Sequence, residues 1–215
     1  MKRLTSIFAS LIIVLSFISC NAQSQKKQEV GKVNLQAPKG KAIAAFAMGC
    51  FWCSGHIFES VAGIDSVISG YAGGTAPNPT YESVTTETTG HAETVLVYYD
   101  PKIISYSELT RAFFAAHDPT TLNQQGPDKG SSYRSILFYR TPGEKALAQQ
   151  AIRVASLSGQ FLKPIVTELK PLTAFYRAES YHQDYAKKNP NDPYIRSVSK
   201  PRYELFKKTY KGKLK

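Results

Sequence analysis

An α+β fold, a two-layer sandwich with a ferredoxin-like split β-α-β core, is what the sequence predicts, and three observations lead there. Segments with strand and helix signatures follow one another as β-α-β-β-α-β-α-β-α, and the first six match the split β-α-β order. The strand segments are short and rich in β-branched and aromatic residues, "AETVLVYYDP" most clearly. Two of the helices announce their starts, because Ser105-x-x-Glu108 and Thr141-x-x-Glu144 are both capping boxes. With 215 residues, 42% of them apolar, the chain can fill the core of one domain, and it shows no internal repeat.

Taken in order, "KAIAAFAM" is an apolar run that stops at Gly49, as a buried strand would. Residues 51–61 carry apolar side chains at 57, 58 and 61 and read as a helix. "GIDSVISGYAGG" is a strand running into a glycine-rich loop, which "TAPNPTY" extends with two prolines. "AETVLVYYDP" is the third strand, closed by Asp-Pro. The helix that Ser105 caps puts Leu109, Phe113 and Ala116 on one face. A polar loop, residues 117–132, leads to "YRSILFY", which alternates as a strand should. Thr141 then caps a helix with Pro142 at its first position and Gly159 past its end. "IVTEL" is a further strand, and "AESYHQDYAKK" a last helix that ends at Asn189-Pro190.

The termini differ from this core. Lys2 and Arg3 precede a weakly polar run that is short for a membrane span, so residues 1–19 read as an export signal. Ser19 before Cys20 resembles the cleavage box of bacterial lipoprotein signals, with Phe17 where Leu is usual. That implies a lipidated Cys20 and a protein of the bacterial cell envelope facing the periplasm, unless the signal is simply cleaved. Residues 20–40, rich in Gln, Lys and Ser, read as a flexible tether, and the folded domain as 41–215. The formal charge is +11, or +9 without Lys2 and Arg3. Much of it lies between Lys187 and Lys215, which reads as a solvated basic tail near an anionic surface rather than a nucleic-acid interface.

The chemistry centres on "GCFWC". Cys50 and Cys53 around an exposed-looking Phe51-Trp52 pair could be half a metal site, a redox disulfide, an attacking thiol with a helper, or two small buried hydrophobes. Zinc needs four ligands, and His56, His91, His117 and His182 offer no H-x(3-5)-H partner. A strand-to-helix junction suits a thiol better, since free N–H groups and the helix dipole stabilise a thiolate at Cys50. Cys53, one turn on, lies within disulfide range.

Five motifs in order, "GCFWC", "GYAGGTAPNPTYESV", "TTGHAETVLVYYDP", "FFAAHDP" and "GPDKGSSYRSILFY", resemble those of the A-type peptide methionine sulfoxide reductases across residues 42–193. The resemblance implies that Cys50 attacks the sulfoxide sulfur, with Phe51 and Trp52 as an aromatic wall for the S-methyl group. It implies that Glu93 donates a proton to the sulfoxide oxygen, that Tyr81 and Tyr133 bind that oxygen, and that Asp128 serves the substrate pocket. His91 and His182 are read as structural. The family acts on the S epimer of methionine sulfoxide, free or in proteins, without a bound cofactor, and takes electrons from a thioredoxin-type protein or a dithiol. Many relatives resolve the Cys50 sulfenic acid with a cysteine near the carboxyl terminus. Cys53 is the only candidate in this domain. Ser54-Gly55-His56 and the cysteine-free basic tail depart from commoner family sequences. A monomer is expected. The competing readings are a thioredoxin-fold disulfide exchanger, which also places C-x-x-C at such a junction, and a binding module for Met-containing peptides.

Overall fold

A computed structural model describes residues 31–215. The export signal, Cys20 and the first part of the expected tether therefore lie outside the described residues. The architecture is mixed α+β, a seven-stranded sheet with helices.

The strands are β1 (Gly31–Lys32), β2 (Ala42–Met48), β3 (Ile64–Ala72), β4 (Ala92–Tyr99), β5 (Gln124–Gln125), β6 (Asp128–Lys129), β7 (Ser135–Tyr139), β8 (Glu168–Pro171) and β9 (Phe175–Arg177). The helices are α1 (Phe51–Glu59), α2 (Tyr81–Thr85), α3 (Tyr106–Ala116), α4 (Pro142–Leu157), α5 (Tyr185–Lys188) and α6 (Lys200–Thr209). The main sheet runs β1-β9-β3-β4-β2-β7-β8, while β5 and β6 form a small hairpin. Every pairing in the main sheet is antiparallel except β7 with β8.

β2 is the central strand of the chemistry, and its sequence explains its place. "AIAAFAM" is apolar at every position because both of its faces are covered. On one face Phe46 and Met48 join Val95, Val97, Phe58, Phe113 and Phe206 in the larger core. On the other, Ile43, Ala45 and Ala47 pack with Leu96, Ile136 and Phe138. Phe46 is opposite Val95 on one side and Leu137 on the other, so the register of three strands is set around one ring.

Gly49 turns the chain from β2 into α1 at φ +85°, and a Cβ there would stand 2.5 Å from the Gln125 side chain. Only glycine fits that corner, and the corner presents Cys50.

Four expectations need correction. Residues 31–37 are not a tether: β1 pairs with β9, and Val33, Leu35 and Ala37 pack on the second core. Their period-2 apolar spacing is the signal of an extended segment with one face against the core, which polar composition hides. The helix expected over 178–188 is a 3-10 turn (Ser180–His182) and the four-residue α5, broken at Asp184, whose φ is +56°. The Gln183 side chain bonds instead to the Ser69 backbone at both N–H and C=O, extending the sheet edge. The strand expected over 165–169 is shifted to Glu168–Pro171, and a further short strand that the sequence reading lacks, β9, follows it. The basic tail is a folded element: a π-turn (Ile195–Ser199) leads into α6, whose Phe206 is wholly buried and whose lysines face water.

Candidate active site

Cys50 is the N-cap residue of α1 and contributes no side-chain cap. The first N–H of the helix, on Phe51, donates to Glu93 Oε2 at 2.9 Å. Glu93 lies near the start of β4, opposite Tyr71 of β3 and beside the end of β2. Antiparallel pairing thus brings the last residues of one strand against the first of the next, and puts a carboxyl beside a thiol.

Burial raises the Glu93 carboxyl to about 8, with the Phe51 N–H pulling the other way and Asp128 adding to the rise. Its apolar strand predicts that direction. The thiol is different. The helix-end N–H expected to stabilise a Cys50 thiolate is donated to Glu93, and Cys50 is pushed well above the ordinary thiol range by burial, by its hydrogen bond with Cys53 and by the Glu93 charge. Cys53 moves the opposite way, lowered first by the hydrogen bond from Cys50 and then by the Arg202 charge, Ser199 and Tyr194, against its burial. In the resting pair, the easier proton to lose is therefore on the Cys53 side. Both cysteines are free and buried.

Three further groups face this pair. Tyr81 begins α2, a helix in the stretch read as loop, and its N–H donates to Glu179 Oε1 at 2.9 Å. Tyr133 ends a 3-10 turn that Glu87 clamps by accepting from the Ser132 N–H (2.9 Å) and hydroxyl (2.7 Å). Burial raises both phenols, and Glu93, Cys50 and Asp128 lie near enough to raise each further. Asp128 Oδ2 accepts from the Tyr194 hydroxyl at 2.5 Å, and Tyr194 lies 3.9 Å from the Cys53 sulfur.

An aromatic array completes the wall. Trp52 stacks on Tyr185 at 3.8 Å and meets Tyr194 edge-on at 5.9 Å. Its indole N–H donates to His182 Nδ1 at 3.1 Å, so the His182 proton belongs on Nε2, 3.8 Å from Glu179. Burial holds His182 neutral, lowering it to about 4. The His182 ring packs between Phe51 (4.9 Å) and Tyr81 (4.6 Å). Phe51, read as exposed, is wholly buried; Trp52 alone of the pair is partly open. His91 holds the glycine-rich loop, taking the Gly74 N–H and bonding the Ala76 carbonyl.

The structure thus gathers Cys50, Phe51, Trp52, Cys53, Tyr81, Glu93, Asp128 and Tyr133 into one site. Sequence reasoning missed Tyr194, Glu179 and Arg202. Tyr194 had a signal: in "NDPYIRS" Asp192 accepts from the Tyr194 and Ile195 N–H groups, with Pro193 following the cap, a helix start hidden among basic residues. Among the described residues, no three His, Cys, Asp or Glu are arranged to hold a metal ion.

Comparison with known proteins gives this geometry a context. A family model described as "Peptide methionine sulfoxide reductase" matches residues 42–214. The peptide methionine sulfoxide reductase MsrA of Saccharolobus solfataricus is 46% identical over 173 residues, 80% of this chain and 97% of that one. The crystal structure of reduced Mxr1 from Saccharomyces cerevisiae is similar at a TM-score of 0.67 and 34% identity, over 73% of this chain and 90% of the other. Mxr1 in complex with Trx2 is similar at 0.50 and 25% identity, over 71% and 94%.

Proposed function

Because the chain belongs to the peptide methionine sulfoxide reductase family, we propose that this oxidoreductase uses Cys50 to reduce the S epimer of methionine sulfoxide, free or in proteins, with Glu93 as proton donor. The observation that carries this reading is a buried carboxyl, held largely protonated near neutral pH, on the N–H next to the thiol. As the Cys50 sulfur bonds to the sulfoxide sulfur, electrons move onto the sulfoxide oxygen, which then needs a proton. Glu93 supplies it; Tyr81 and Tyr133 hydrogen-bond the oxygen. Trp52 and Phe51 contact the methyl group, since polarizable sulfur substituents favour aromatic faces and edges. The oxygen passes to the Cys50 sulfur as the bond to the methionine sulfur breaks, so methionine leaves and Cys50 becomes a sulfenic acid, while the proton given up by the Cys50 thiol restores Glu93.

The Cys53 thiol then attacks that sulfenic sulfur, forming the Cys50–Cys53 disulfide and releasing water. A thioredoxin-type dithiol returns the pair to thiols and is itself oxidised. That Mxr1 forms a complex with Trx2 supports this class of reductant. The antiparallel order β3-β4-β2-β7, joined through α1 and α3, supports reading the core as a ferredoxin-like split β-α-β unit, which places Cys50 and Glu93 at one end of neighbouring strands.

Mass spectrometry after one equivalent of methionine sulfoxide tests the route. The wild-type protein should lose two hydrogens and Cys53→Ser should gain one oxygen. Reduction of insulin-type disulfides without consumption of sulfoxide would favour the disulfide exchanger. Repair in the cell envelope through a lipidated Cys20 belongs to the same proposal; it rests on "LSFISC", and radiolabelled palmitate entering Cys20→Ala as well as wild type would refute it.

A further inference from the structure

Cys53 sits in surroundings that the reaction at Cys50 does not explain. Three of the groups that act on its sulfur, Tyr194, Ser199 and Arg202, come from one stretch that enters the π-turn and starts α6. The Tyr194 hydroxyl lies 3.9 Å from its sulfur. Ser199, 1% exposed, has a buried Oγ with no other hydrogen-bond partner among the described residues, and its hydroxyl acts on the Cys53 sulfur, lowering that thiol. Arg202 is locked in place: its Nε donates to the Ala116 carbonyl and its Nη2 to the Met48 carbonyl, both at 2.7 Å. Its Nη1 has no hydrogen-bond partner among the described residues and stands 3.5 Å from where a Cβ on Gly49, the residue before Cys50, would be, and the guanidinium charge lowers Cys53. A fixed guanidinium and a buried hydroxyl with no other partner around a sulfur that is 1% exposed is an arrangement for an anion.

We propose that residues 194–202 form a cage for the Cys53 thiolate, with Ser199 and Arg202 as its positioning residues, and that the cage makes the Cys50–Cys53 disulfide easy to reduce. The inference rests on the reading of Cys53 as the resolving thiol.

The magnitudes favour an effect on reduction over an effect on resolution. As an attacking group, a more acidic thiol gains thiolate fraction but loses nucleophilicity, with a Brønsted coefficient of ~0.4–0.5, so resolution changes only about two-fold. As a leaving group it gains without such an offset. When a thioredoxin-type thiolate attacks Cys50, that bond forms, the Cys50–Cys53 bond breaks, and its electron pair departs on Cys53 into the cage. The second thiol of the reductant then frees Cys50. A stabilised reduced form also shifts the equilibrium toward the dithiol. The cage would thus let a carboxyl-terminal segment that has no cysteine still govern the redox cycle.

The test uses Ser199→Ala, Arg202→Met and Arg202→Lys, each checked by thermal melting because Arg202 also ties β2 to α3. Equilibration with glutathione should show the Arg202→Met disulfide about tenfold harder to reduce, or ~30 mV more negative. Ser199→Ala should be several-fold harder, and Arg202→Lys within about threefold of wild type. In a Cys50→Ser background, which keeps a donor to Cys53, the thiolate absorbance should appear at higher pH in both Ser199→Ala and Arg202→Met. Folded variants with unchanged equilibrium and titration overturn the cage. A wild-type protein that forms no Cys50–Cys53 disulfide after turnover instead removes the resolving role of Cys53, while the titration still decides whether the cage exists.

Discussion

Two stretches of this chain build one site by different means. Residues 42–139 supply Cys50, Glu93, Tyr81 and Tyr133 from strand ends and short helices whose backbones are fixed by the sheet. Residues 175–209 supply Glu179, His182, Tyr185, Tyr194 and Arg202 from 3-10, α and π turns, and hold the site mainly through side chains. The first stretch places the reacting atoms; the second presses against them and sets their electrostatics. Catalytic geometry needs rigid support, but charge and shape around it can be delivered by irregular chain if its anchors are strong enough.

The sharpest way to separate the two is to remove the nucleophile. Cys50→Ser leaves a hydroxyl that is barely ionised near neutral pH, and no methionine should form even in a single turnover. Phe206→Ala comes next in size. It should cost about 3–5 kcal/mol in a denaturation experiment, the usual loss for a fully buried ring, and take activity with it. A melting curve unchanged by that substitution would mean that α6 is only an appendage.

Glu93→Gln should slow the reductive step about 10²-fold and leave sulfoxide binding almost unchanged. The wild-type rate should also fall as pH rises through about 8, because the carboxyl that burial raises is protonated and able to donate below that value and is lost as a donor above it. The variant should lack that limb. Equal pH profiles would assign it to another group. Tyr194→Phe, on the irregular side, should reduce single-turnover methionine formation by no more than about tenfold, since it touches Asp128 and Cys53 and not the proton donor. A loss as large as that of Glu93→Gln would erase the distinction between the two stretches. The smallest effect should come from Val33→Ala at the amino-terminal edge, about 1 kcal/mol in stability with turnover unchanged.

The same contrast explains what could be read before the structure. Elements rich in β-branched and aromatic residues, such as β4, or opened by a capping residue, such as α3 and α4, stand close to where the sequence puts them, because local signal and tertiary role agree there. At α4, though, the Glu144 carboxylate accepts from the Arg140 N–H and not from that of Thr141, leaving the box half made. The site residues of the first stretch were reached through motifs, and their shared location follows from antiparallel registers such as Phe46 opposite Val95. Composition misled at both ends of the described chain. Val33, Leu35 and Ala37 alternate between polar neighbours, and Phe206 stands among lysines with Tyr203 and Tyr210, so averages over those stretches report water-facing side chains and conceal the few that anchor them. The Cys50 thiol departs from expectation for a different reason: a helix end promises free N–H groups, but Glu93, remote in sequence, takes the first.

The pairing of Gly31 with Arg177 has a consequence for how the chain is born. β9 sits between β1 and β3, so on the ribosome β3 emerges with its outer edge bare, and the strand that will cover it lies far downstream. At ~5–20 residues per second the wait is roughly 5 to 20 s, during which an unpaired strand edge is open to other chains. Nascent-chain lengths that stop short of residue 177 should be the ones that bind holdase chaperones most strongly.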